Sequence, residues 1–156
     1  MYLALKALHV LAVVIFLGNI ITGLFWHAYA ARTHDARMIS HAMAGIILSD
    51  RYFTTPGVIG ILVSGVLLAI IGGYPLLGTS WILWPIILFS VSGLIFSFRV
   101  APLQRQLLAM SKAGAEQGNF DYEPYRKVVV VWELWGAIAL LTPISALIIM
   151  TMKPAW

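Results

Sequence analysis

Cysteine is absent from the 156-residue chain, which excludes disulfide frameworks, thiolate metal centres and cysteine nucleophiles. Charge is scarce as well. Asp, Glu, Lys and Arg make up 10% of the residues, against about a quarter in a soluble domain, and none of them occurs between Arg51 and Arg99. With 61% hydrophobic residues and a mean hydropathy of +0.92, these shortages exclude a disordered, fibrous or ordinary cytosolic protein. There is no nucleophile elbow, no His-Glu-x-x-His pair and no phosphate-cradling Gly-rich loop, so the familiar hydrolase and nucleotide sites are missing. The net charge of +4 does not point to nucleic acid. The basic residues lie between apolar runs and form no aromatic-studded basic surface.

What is present is apolar sequence in long blocks. The chain reads as an all-α integral membrane four-helix bundle, a single transmembrane domain over 1–156. A hydrocarbon layer of about 30 Å needs roughly 20 apolar residues per crossing, and four runs qualify, at about 3–30, 54–72, 80–106 and 124–152. Gly72-Gly73-Tyr74-Pro75 and Gly78 divide the charge-free stretch into two spans. Thr55 reads as the N-cap of the second span, with Pro56 at its first helical position. Before it, Met38, Ile39, Ala42, Met43, Ile46 and Ile47 share one helical face, which predicts a short cytoplasmic amphipathic helix between the first two spans.

Orientation follows from the basic residues. Eight of the ten lie in or beside the loops after the first and third spans, and only Lys6 and Lys153 belong to the other side. That bias places both large loops in the cytoplasm and both termini outside. Trp81, Trp84 and Trp156 then fall near the outer interface and Trp26 near the inner one. Ala28-Tyr29-Ala30 has the pattern of a signal-peptidase site, but the apolar run before it is too long and its basic region is one lysine, so the first span is read as retained.

Ionisable groups at membrane depth are costly, face the bundle interior and often mark function. His9 is the sharpest case, as an imidazole that serves as an axial ligand for haem iron or that simply satisfies a nearby carbonyl or water. His27 lies 18 residues further along the same helix, about 27 Å away, so the two cannot share one iron. A sixth ligand would then come from Met150, Met152 or the His9 of a second copy, and a separate inner site could pair His27 with His41. Arg99 and Glu133 sit at similar depth. They read either as an ion pair fixing helix register or as an anchor for a cofactor propionate beside a proton path. Asn19 reads as an interhelical hydrogen-bond donor.

Lys6-Ala7-Leu8-His9-Val10, Gly18-Asn19, Thr54-Thr55-Pro56-Gly57, Ser80-Trp81 and Trp132-Glu133-Leu134-Trp135-Gly136 together resemble a family of small bacterial predicted integral membrane proteins of unknown function, over nearly the whole chain. More distantly, the Lys-Ala-Leu-His opening, the Thr-Thr-Pro-Gly start and the Ser-Trp entry are similar to HemJ-type protoporphyrinogen oxidases and the CopD superfamily. That resemblance implies haem b bound through His9. It lacks the family's lysine after the third-helix tryptophan, where this chain reads Trp84-Pro85-Ile86.

The expectation is a membrane haem b-binding, cytochrome-like protein for electron transfer or oxidase chemistry, with quinone or porphyrin as partner. His9, His27, Arg99 and Glu133 are its cofactor-binding residues. The expected setting is the bacterial cytoplasmic membrane, multi-pass and open to homo-oligomer formation. A HemJ-like oxidase, a copper or small-solute transport accessory protein, and a purely structural subunit are the alternatives.

Overall fold

Four long helices carry the chain: α1 (Tyr2–Ala31), α2 (Ala36–Ile71), α3 (Ser80–Gln117) and α4 (Tyr122–Met152), and all four are long and apolar enough to cross a membrane. The computed structural model describes residues 1–154, so Trp156 lies outside the described residues. Short connections at 32–35 and 118–121 define one end of the bundle, here the proximal end. The 72–79 turn, the start of α1 at Tyr2 and the end of α4 at Met152 mark the distal end.

Local chemistry sets these boundaries. Asp35 caps α2 by accepting from the Arg37 N–H at 2.8 Å, and Asp121 caps α4 by accepting from the Glu123 N–H at 3.1 Å. Gly73 (φ 70°) and Gly118 (φ 66°) take the left-handed conformation that ends α2 and α3. At the distal end Lys153 sits 4.7 Å from the centroid of the Trp81 ring, tying the end of α4 to the start of α3.

Two expectations are corrected. The residues read as a separate amphipathic helix form the first part of α2, continuous through Asp50–Thr54 to Ile71. Thr55 therefore caps nothing. The physical reason is visible around Pro56, which has no N–H and whose ring would clash with the Tyr52 carbonyl in a regular α-turn. Asp50–Thr54 widens instead into a π-turn, with the Thr55 N–H bonded to the Asp50 carbonyl. α3 repeats the device: Phe96–Val100 is a π-turn ahead of Pro102, with the Ala101 N–H bonded to the Phe96 carbonyl. The third helix also runs past 106 to Gln117, because no breaker occurs before Gly118.

At 36 and 38 residues, α2 and α3 overshoot a bilayer core. Their proximal extensions pair with each other, and Ile39 and Met43 of α2 and Leu107 of α3 are fully buried there. Tyr125, Val129 and Trp132 of α4 complete this core. The apolar stripe of Ala36–Ser49 thus buries against protein rather than lying on a lipid surface.

In the distal half the bundle resolves into two pairs, α1 with α2 and α3 with α4. Gly57 and Gly60 let α1 and α2 approach closely, since a Cβ on either would stand 3.2 Å from the Cβ of Phe16 or Ala12. Between the pairs, no Cα of Thr55–Ile71 comes within 8 Å of a Cα in Ser80–Ile95 or in α4. The two pairs are joined proximally and parted distally.

Candidate functional site

The parting of the pairs leaves a cavity of about 280 Å³ whose walls come from all four helices. Most of the lining is apolar or aromatic, with Phe16 from α1, Phe89 and Phe96 from α3 and Trp132 from α4. The Phe16 and Phe89 rings meet across the gap with centroids 5.4 Å apart.

One region of the wall is polar. Asp50, in the α2 π-turn, is surrounded by neutral donors. Asn19 Nδ2 donates to Asp50 Oδ1 at 3.0 Å and to Thr54 Oγ1 at 2.9 Å. The Thr54 hydroxyl donates to the same Oδ1 at 2.8 Å, and Gln104 Nε2 donates to Oδ2 at 3.0 Å. Among the described residues no Lys, Arg or His forms an ion pair with this carboxylate. Arg51 is exposed next to it. The Asp50 network joins α1, α2 and α3 at the level where the pairs diverge.

A second unusual feature lies on the same cavity. Trp132 is 2% exposed, yet its Nε1 has no hydrogen-bond partner among the described residues. Its ring stands edge-on to His27 with centroids 4.9 Å apart. Leaving a buried donor unpaired costs about 1–3 kcal/mol, and such a group calls for an explanation. By contrast, Ser92 Oγ donates at 2.6 Å to the Ala139 carbonyl, the group that Pro143 deprives of its helical partner.

The residues singled out from sequence are dispersed. His9 is half-buried between α1 and α2, with Nδ1 2.9 Å from Ser64 Oγ. Ser64 in turn donates to the Gly60 carbonyl, so it accepts from His9 Nδ1–H. Gly65 supplies the space, because a Cβ there would lie 3.1 Å from His9 Cε1. His9 does not line the cavity. His27 is fully buried with Nε2 2.9 Å from the Tyr125 hydroxyl, whereas His41 is exposed, so the two do not converge. Arg99 lies 5.3 Å from the centroid of the Trp135 ring and forms no ion pair with Glu133, which is exposed. Among the described residues no group of three or more His, Asp or Glu could hold a metal ion.

Sequence reasoning identified Asn19 as a cross-helix donor and passed over its acceptor. Asp50 and Gln104 were legible on the stripes they continue, Ile39-Met43-Ile46-Asp50-Thr54 and Val100-Gln104-Leu107-Ser111. A polar residue on a buried stripe is the signal.

Residues 3–154 match the model of the family described as predicted integral membrane protein DUF2269. The chain belongs to that family. It is accordingly an integral membrane protein with four apolar helices. No curated protein and no solved structure matches the chain, and nothing in these comparisons supports a likeness to HemJ-type or CopD proteins.

Proposed function

We propose that this DUF2269 member is an intramembrane binding protein for a small amphiphile that enters from the bilayer between the two helix pairs. The observation that carries the reading is the cavity at the divergence point, apolar along its walls and ending on the Asp50 network. Small-molecule sites are concave, mostly apolar and furnished with few polar groups. At about 280 Å³ the space holds on the order of nine water-sized groups. That suits a single aromatic ring with a short polar arm.

The test uses the purified protein in detergent or nanodiscs with 2-phenylethanol and 2-phenylethylamine as probes, followed by Trp fluorescence and calorimetry. Gly136 lines the cavity, and the nearest atom to a Cβ there is Leu24 Cδ2 at 3.9 Å. Gly136→Leu should therefore fill the space while the helices persist. Saturable binding that Gly136→Leu abolishes supports the reading. Failure of both probes to bind, or binding untouched by the filling substitution, overturns it.

A second reading, haem b ligated through His9, is favoured by one observation. The bond to Ser64 puts the ring proton on Nδ1 and leaves Nε2 as the lone-pair nitrogen, the form an axial ligand takes. The fit stops at that one ligand, since the ring lies outside the cavity and, among the described residues, its side-chain hydrogen-bond partner is Ser64. A Soret band removed by His9→Ala would establish this reading, and a colourless preparation from haem-replete cells would end it. The basic residues at the proximal end support placing that end in the cytoplasm, with both termini outside, in a bacterial inner membrane.

A further inference from the structure

We infer that the ligand of this cavity is an amphiphilic cation, a protonated or quaternary amine on an apolar body, with Asp50 as its counter-charge. The inference deepens the binding-site reading above and rests on it.

Three observations carry it. An ionised carboxylate offers about four lone-pair sites, and Asn19, Thr54 and Gln104 occupy three of them. The remaining acceptor capacity belongs to a residue on the cavity wall. All three donors are neutral, so they orient the carboxylate without cancelling its charge. The obvious cationic alternatives are elsewhere: Arg99 is stacked on Trp135 and Arg51 is exposed. Asp50 is half-buried; a charge withdrawn from water is stabilised by a partner of opposite sign, and the cavity is where one can come from.

The second observation is the wall itself. Phe16, Phe89, Phe96 and Trp132 surround a space of about 280 Å³. Aromatic faces attract a cation through their ring quadrupoles, and clustered rings are the recognised receptor for ammonium groups. A carboxylate with aromatic walls is complementary to an amine in both charge and surface.

The third is what the alternatives leave undone. An anion would face Asp50 with like charge. A quinone has acceptors only and would leave Asp50 without a counter-charge. A protonated or quaternary amine supplies it.

The experiment compares three ligands of nearly one shape on the unaltered protein: 2-phenylethylamine, 2-phenylethanol and phenylacetate, near pH 7 and at constant ionic strength. The amine should bind at least about tenfold more tightly than the alcohol, with phenylacetate weakest. Asp50→Asn should reduce the amine-to-alcohol ratio to near one while the alcohol still binds. Equal binding of amine and alcohol to the unaltered protein overturns the inference and leaves the binding site standing. Binding of neither removes the site itself. Tighter binding of phenylacetate than of the amine also overturns the inference. The three-ligand series needs no variant, so a folding defect in Asp50→Asn does not compromise the test.

Discussion

Ser92 carries a task that its small size conceals. Pro143 cannot supply the N–H that the Ala139 carbonyl would receive in an unbroken helix. The Ser92 hydroxyl, reaching from α3 to α4, makes that bond instead at 2.6 Å. Where water is scarce, an orphaned carbonyl has no substitute partner. Ser92→Ala should lower stability by about 1–2 kcal/mol, read as a shifted midpoint in thermal or denaturant unfolding in detergent. Adding Pro143→Ala restores the helical donor and should recover most of that loss. An additive effect of the two substitutions would show that the Ser92 bond does not compensate the proline. Single residues also show why some candidates misled. Equal depth along two helices suggested an Arg99–Glu133 pair, but depth does not fix azimuth. Successive helical residues point about 100° apart, so buried Trp132 turns its neighbour Glu133 outward. Histidine identity drew attention to His9, whose partner Ser64 has no distinctive signature within an apolar run.

At the scale of elements, the π-turns link proline placement to site construction. Asp50 opens the π-turn of α2, six residues before Pro56. Phe96 opens that of α3, six before Pro102. Each turn holds one residue more than an α-turn, which relieves the proline and leaves both flanks in phase with their neighbours. Once the proline is replaced, one exposed residue within the bulge should therefore be dispensable to the fold. In a Pro56→Ala background, deleting Phe53 converts the turn to regular α-helix and should leave helix content and monodispersity intact, whereas with Pro56 present the ring clash would return. Deleting Val63, equally exposed but in regular helix, should rotate Ser64 and Ala69 off α1 by about 100° and destabilise the protein. Circular dichroism and gel filtration of the two deletions side by side provide the check, and comparable damage from both would refute the phase argument. Hydropathy made the four spans legible, and the Ile39-Met43-Ile46 stripe made the proximal helix legible too. Its continuity with α2 was obscured by Thr55-Pro56, which reads locally as a helix start. Only the partner stripe on α3, remote in sequence, makes continuation the better solution.

At the scale of the whole molecule, the arrangement is two helix pairs fastened at one end. The fully buried side chains Ile39, Met43, Leu107 and Tyr125 belong to the proximal core, whereas the distal halves of the pairs have no close backbone approach. No local pattern encodes that separation, since lipid covers apolar side chains as readily as another helix does. The lack of native cysteine makes it directly measurable. No Cα of α1 lies within 8 Å of a Cα in Ser80–Ile95, although the Phe16 and Phe89 rings meet across the gap. A disulfide requires Cα atoms closer than about 7 Å. Phe16→Cys with Phe89→Cys should therefore resist copper-catalysed oxidation in the unliganded protein, while a longer bis-maleimide joins the same two thiols. If the cavity ligand wedges the pairs at this level, saturating amine should slow the bis-maleimide reaction and still permit no disulfide. Rapid disulfide formation without ligand would mean that the pairs close on each other and that the cavity is not a standing feature of the bundle.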